Sequence, residues 1–343
     1  MQAISIAKPG GFERLRLIEA PDLRPAPGEV LVSTRAVGVN FADVVVRLGF
    51  YESAKKYVGW PITPGFEFSG EVAALGEGVT DLAMGERVFG LTRFGGYASQ
   101  VCVPRGQLFR VPASLSHAQA ATFPTVFLTA YYALRETYRL RPGAQVLIHA
   151  AAGGVGLAAL QLCRIDGLPS IGVVGSSHKR DVALEYGATH VIDKSTQALW
   201  PEVERLAPEG LHLVLESNGA ETLRDSYTHL RPMGRMVIYG FHSMLRRGHG
   251  GPSWFKLAWD YLRTPRFNPL EMIDANKGVL AFNLSYLFSE QALLAEAMTR
   301  LLEELERGQL RPLPVTEFPL EDASGAHRAI QSGTTIGKLA LIP

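Results

Sequence analysis

The chain has 343 residues, 47% of them hydrophobic and 20% charged, with 34 basic against 33 acidic side chains and a net charge of +1. That length exceeds a comfortable single core and is enough for two domains. The near balance of charge removes any global attraction to nucleic acid and leaves a small molecule as the expected partner.

The opening stretch 1–11 lacks the basic region, apolar run and small-residue cleavage site of a secretory signal, so a cytoplasmic protein is expected. The first third then runs through short β-branched segments bounded by turn residues, among them Glu29-Val30-Leu31-Val32, 69–75 and 86–90, which predicts a mainly β, barrel-like domain. Cys102 and Cys163 are far apart and lack metal-ligand spacing, so both read as reduced, packed thiols. From about Phe127 the texture changes: apolar strands at 146–150, 171–175, 190–193, 211–216 and 235–240 alternate with helical segments. Such alternation predicts an α/β, doubly wound parallel sheet covered on both faces. One more strand is expected at 279–284, followed by a helix whose Leu293, Leu294, Ala297, Leu301, Leu302 and Leu305 recur at helical spacing, and the tail returns to short strands. The almost wholly apolar stretch 146–163 resembles a membrane span by hydropathy, but its glycines suit a buried strand that turns tightly into a helix.

That turn is His149-Ala150-Ala151-Ala152-Gly153-Gly154-Val155-Gly156, in the strand-to-helix context that gives a glycine fingerprint its meaning. Ala151 stands where the usual first glycine would be. Gly153 lets the backbone approach a pyrophosphate, Gly156 lets helix pack on strand, and the helix N-terminus offers free amides and a positive dipole end. At the end of the next strand an NAD site normally carries an acid on the ribose hydroxyls. Here Gly175 is followed by Ser176, Ser177 and Lys179, with Lys194 just past the third strand, so the reading favours NADPH.

With the barrel-like first third, these residues resemble the medium-chain dehydrogenase/reductase family and its quinone oxidoreductase group, over the whole chain. Ala36-Val37-Gly38-Val39-Asn40-Phe41-Ala42-Asp43, Gly49-Phe50-Tyr51 and Gly65-Phe66-Glu67-Phe68-Ser69-Gly70 carry the likeness. A finer likeness, to the vesicle amine transport protein branch, rests on 230–235, Tyr239-Gly240-Phe241, 282–286 and 336–343. The resemblance implies a GroES-like catalytic domain of residues 1–124 and 289–343 around a Rossmann NADP-binding domain of residues 125–288. Zinc-containing relatives carry a cysteine and a Gly-His-Glu where this chain has Asn40 and Gly65-Phe66-Glu67, and a four-cysteine lobe where 88–112 holds only Cys102; no metal is expected.

It further implies a hydride transfer to a quinone or enone. Quinone carbonyls accept electrons readily and need hydrogen-bond donors more than a Lewis acid. The expected catalytic residues are Asn40, orienting substrate or nicotinamide, and Tyr51, donating a proton or hydrogen bond. Phe41, Thr129, Ala152, Gly153, Gly154, Val155, Gly175, Ser176, Ser177, Lys179, Lys194, Asn218, Gly240, Phe241, His242 and Lys338 form the expected NADP(H) site. Asp43 reads as a structural support and His149 as a hydrogen-bonded core histidine. The alternative is an NADPH-binding regulatory or membrane-associated adaptor with little turnover. A homodimer is expected, with the strand around 280–284 suited to edge pairing. The long connection 241–276 holds an Arg- and Gly-rich stretch, 246–252, and a helix with Ser253 as cap, Pro265 beyond its end and Trp254, Leu257, Ala258, Tyr261 and Leu262 on one face. It reads as a lid over the nicotinamide pocket or a dimer contact, with a membrane contact as the less favoured alternative.

Overall fold

A computed structural model describes residues 1–245, 251 and 253–343, so most of the Arg- and Gly-rich stretch lies outside the described residues. Seven strands form first: β1 (Gln2–Ser5), β2 (Arg16–Glu19), β3 (Glu29–Val39), β4 (Glu67–Leu75), β5 (Arg87–Leu91), β6 (Gln100–Pro104) and β7 (Leu108–Arg110). β3 is the organising strand, pairing antiparallel with both β4 and β6. Its Val30, Val32, Val37 and Val39 pack with Phe68, Val88 and Tyr97 in the barrel core, as β-branched residues on a covered sheet should.

Six strands follow: β8 (Val146–Ile148), β9 (Ser170–Val174), β10 (His190–Asp193), β11 (Leu211–Glu216), β12 (Leu230–Ile238) and β13 (Gly278–Ala281). They pair in the order β10-β9-β8-β11-β12-β13, and every pairing is parallel. The chain winds outward from β8 in one direction and from β11 in the other, so ligands are expected at the carboxyl ends of those two strands. The 146–163 stretch resolves into β8 and the helix Gly154–Ile165; among the described residues no helix is long and apolar enough to cross a membrane.

The last two strands, β14 (Val315–Pro319) and β15 (Lys338–Ile342), return to the barrel, where β15 pairs antiparallel with β3 and parallel with β14. Between them and the parallel sheet, the helix Gln291–Glu306 buries Leu294, Ala297, Met298, Leu301 and Leu305. That face joins the core formed by the helices Pro124–Tyr131 and Gly154–Ile165. Burial raises the pKa of both thiols, with Cys163 buried and Cys102 half-buried.

The connection between β12 and β13 corrects one expectation. Its helix, Trp254–Arg263, starts at Ser253, whose side chain accepts from the Lys256 amide. Among the described residues the apolar face is turned to solvent: Trp254 is 69% exposed, Tyr261 71% and Leu262 77%, whereas Asp260 is 2% exposed. Asp260 turns inward because Lys256 Nζ lies 2.6 Å from its carboxylate and reaches Glu221 at 3.8 Å. Trp254 meets the Phe50 ring edge-on, 5.9 Å between centroids. This geometry corrects the expectation that the apolar face of the helix is the buried one.

Candidate active site

Two loops from the sheet and one segment of the barrel meet at the carboxyl ends of β8, β11 and β12. The first loop leaves β8 with Ala150 at φ 51° and Gly153 as cap of the helix Gly154–Ile165, with no side chain capping its amides. Gly153, Gly154 and Val155 are half-exposed while Ala151 and Ala152 are buried. A Cβ at Gly156 would lie 2.5 Å from the Ala150 carbonyl oxygen, so only glycine lets this helix start so close to the strand. Uncapped amides at a half-exposed helix start are what a pyrophosphate requires.

The second loop is stitched together by a buried carboxylate. Glu216 ends β11 and accepts from the Asn218 amide at 2.7 Å, from the Thr222 hydroxyl at 2.9 Å and from the Ser226 hydroxyl at 2.7 Å. His149 Nε2 donates onward to Ser226 Oγ at 3.0 Å, and burial lowers its pKa, so it stays neutral in the core. The carbonyls of Ser217 and Asn218 accept from the amides of His242 and Ser243, fastening the ends of β11 and β12 together. This places Asn218, Gly240, Phe241 and His242 side by side. Burial pushes the His242 pKa down to about 4, and its ring lies 4.2 Å from that of Phe41.

Through Phe41 the barrel enters the site. Asn40 precedes the helix Phe41–Arg47, and Asp43 fixes it by accepting from the Asn40 amide at 2.8 Å and the Gly65 amide at 2.9 Å. Asp43 therefore supports structure, as expected; burial raises its pKa to about 7 against the pull of those two amides. The Asn40 carboxamide donates to Glu67 at 2.8 Å and accepts from Lys338 at 2.6 Å, and Lys338 also donates to Glu67 and to the Val39 carbonyl, each at 2.8 Å. Glu67 completes its bonds with the Thr125 amide at 2.8 Å, at the start of the helix Pro124–Tyr131, where a negative charge is favoured. Thr129 on that helix donates back to the Thr125 carbonyl at 2.6 Å. Among the described residues the buried Thr125 and Ser243 hydroxyls find no hydrogen-bond partner.

Tyr51 packs edge-on against Phe66 and donates its hydroxyl to Asn283 Oδ1 at 2.9 Å; burial raises its pKa and keeps it protonated. At the end of β9, a Cβ on Gly175 would fall 3.8 Å from Lys194 Cε. Ser177 gives its hydroxyl to Asp193 at 2.5 Å, and that bond, with those from Ser195, pushes the Asp193 pKa down to about 2. Ser176 precedes the short turn 177–179 without a side-chain capping bond, and Lys179 Nζ donates to the Gly333 carbonyl at 2.6 Å.

Sequence reasoning left Glu67, Glu216 and Asp193 without roles. Glu67 stood within the Gly65-Phe66-Glu67 turn, which was the available signal; the other two gave none, because an acid at a strand end is silent until its partners are in place. Among the described residues, no three His, Cys, Asp or Glu side chains gather as a metal ion would require.

Two family models match the chain: an alcohol dehydrogenase GroES-like domain over residues 26–113 and a zinc-binding dehydrogenase over residues 186–341. The synaptic vesicle membrane protein VAT-1 homolog of Rattus norvegicus is 36% identical over 338 residues, covering 97% of this chain and 82% of its own. Among solved structures, the Escherichia coli quinone oxidoreductase complexed with NADPH superposes with a TM-score of 0.87 at 31% identity, covering 100% of both chains. The CurK enoyl reductase gives 0.84 at 28% identity, over 99% of this chain and 98% of its own.

Proposed function

Since the chain belongs to the medium-chain dehydrogenase/reductase family, we propose that it is an NADPH-dependent oxidoreductase that passes hydride to a quinone or an α,β-unsaturated carbonyl without zinc. One observation carries the reading: the Asn40-Phe41 segment meets the strand-end loop Gly240–His242, with Phe41 and His242 in ring contact, beside an uncapped helix start that suits a dinucleotide. When bound, a reduced nicotinamide supplies the hydride.

The chain's own residues bind and orient. Ala152, Gly153, Gly154 and Val155 would hold the pyrophosphate; Thr129, Asn218, Gly240, Phe241 and His242 would border the nicotinamide; Gly175, Ser176, Ser177, Lys179 and Lys194 would receive the adenosine end. Asn40 contributes an amide hydrogen to an acceptor carbonyl. Neutral His242 adds no charge to the pocket, and protonated Tyr51 serves as proton donor once its hydroxyl leaves Asn283. That the likenesses include a quinone oxidoreductase and an enoyl reductase supports an electron-poor carbonyl as acceptor.

Stopped-flow oxidation of NADPH with a panel of quinones, enones and aldehydes tests the reading; no turnover with any of them sinks it. For the cofactor, Lys194→Ala should weaken NADPH roughly tenfold more than NADH, the worth of one charge-assisted phosphate contact. Lys179→Ala should act in the same direction while also loosening the 333 turn that Lys179 braces. Equal loss for both nucleotides by titration refutes the phosphate role.

A second reading, an NADPH-binding regulatory or membrane-associated adaptor with little turnover, draws on the solvent-facing aromatic side of the helix Trp254–Arg263 and on the engaged Tyr51 hydroxyl. A homodimer belongs to either reading, since β13 ends the parallel sheet and exposes Leu280. The proposed setting is the cytoplasm.

A further inference from the structure

Lys338 was expected to reach the cofactor, but its ammonium has three hydrogens and three acceptors already around it: Val39 O, Asn40 Oδ1 and Glu67 Oε1. The side chains of Lys338 and Glu67 are 4% and 0% exposed. We propose that Lys338 and Glu67 form a positioning pair, a fixed internal cation and anion that lock the Asn40 carboxamide in one orientation for the acceptor and tie that orientation to the phosphate loop. The inference rests on the reductase reading above for its catalytic consequence, though not for its geometry.

A carboxamide can be turned by 180° with little change of shape, so its direction is set by its neighbours. Here the neighbours are of opposite kind. Lys338 can only donate and therefore holds Oδ1; the Glu67 carboxylate can only accept and therefore holds Nδ2. The turned amide would set NH₂ against ammonium and oxygen against carboxylate. With one orientation enforced, one Nδ2 hydrogen remains, and its direction is fixed before any ligand arrives, the preorganisation that makes a donor effective. Glu67 is anchored in turn by the Thr125 amide.

The link to the loop runs along β15 and its approach. The Gly337 amide donates to the Ala152 carbonyl at 2.9 Å, and a Cβ added to Gly154 would come within 2.8 Å of Lys338 Cδ. The stem of Lys338 thus lies against the loop proposed to hold pyrophosphate, while its tip holds the amide proposed to orient the acceptor. Lys338 serves the reaction through Asn40 and has no hydrogen left for a phosphate.

Two variants test this. Lys338→Met keeps the stem without the charge; Lys338→Ala is measured with and without n-propylammonium, which restores the deleted amine. The readouts are the Asn40 side-chain amide resonances, assigned by their loss in Asn40→Ser, the NADPH dissociation constant, and the single-turnover rate with a quinone that the wild type reduces. In Lys338→Met the Asn40 amide signals should broaden and lose protection, and the rate should fall roughly ten- to a hundredfold, as when a group that orients a ligand is removed, with NADPH affinity within about threefold of wild type. Propylammonium should return both signals and rate to Lys338→Ala, and propanol neither. Unchanged Asn40 signals overturn the proposal, as does an NADPH affinity that falls by the same factor as the rate, or a folded Lys338→Ala that the amine does not rescue. Should both lysine variants unfold, Glu67→Gln carries the same test on the Asn40 signals. A wild type without turnover sinks the reductase reading instead, and the amide signals then decide the positioning pair alone.

Discussion

Ala150 holds a φ of 51° at an exposed position between β8 and the phosphate loop, a conformation that L-residues adopt at a cost of roughly 1–2 kcal/mol and achiral glycine does not. Ala150→Gly should therefore stabilise the protein by about 0.5–1 kcal/mol, the strain relieved less the extra flexibility of the unfolded chain, seen as a higher urea midpoint. A lower midpoint would show that the alanine methyl matters to the turn. Asp43 gives a pH dependence. Its folded pKa of about 7 stands above its ordinary value of 3.8, so the folded state binds more protons than the unfolded one in between. Its contribution is complete below about pH 4 and lost as pH rises through 7. From pH 5 to pH 8 the wild type should lose stability relative to Asp43→Asn; parallel curves for the two proteins would contradict this. At this scale the sequence was legible where spacing is local: Asn40, Gly153 and Gly156 announce themselves within a few positions. Glu67 and Lys338 are 271 positions apart, and no local pattern joins them.

The helix Trp254–Arg263 was legible as a helix, from its Ser253 cap and its apolar period, and illegible in its direction. Periodicity says which residues share a face; it does not say which face is buried, and here the inward side is carried by Asp260, paired with Lys256. Phe255, 93% exposed, and Leu262 should accordingly tolerate serine together with a stability change within about 0.5 kcal/mol. Asp260→Ala should cost about 1–3 kcal/mol by removing the buried partner of Lys256, which keeps only its longer contact with Glu221. Chemical unfolding of the two variants checks the inversion; the opposite ranking would return the apolar face to the core. The parallel strands were more legible than this helix because a β-branched run flanked by turns allows few other readings.

At the scale of the molecule, the carboxyl ends of β8, β11 and β12 face a barrel whose closing strand, β15, contacts the phosphate loop through Gly337. A nucleotide bound there, as proposed, would touch both parts. NADPH at a hundred times its dissociation constant should stabilise the fold by about 2.7 kcal/mol, and calorimetry should show the barrel and the parallel sheet gaining together; a shift confined to one transition would mean that the parts unfold independently. The alternation of strands and helices made the parallel sheet legible, but neither its strand order nor the dependence of the barrel on a strand that follows the entire sheet in the chain. That dependence sets an order of events during synthesis. The six parallel strands are complete by residue 281 and their covering helix by residue 306, whereas β3, made long before, waits for residues 338–342 to cover its free edge from Val37 to Val39. For that interval the nascent barrel offers an open, β-branched edge to any neighbouring chain, closed only when residues 338–342 pair with it.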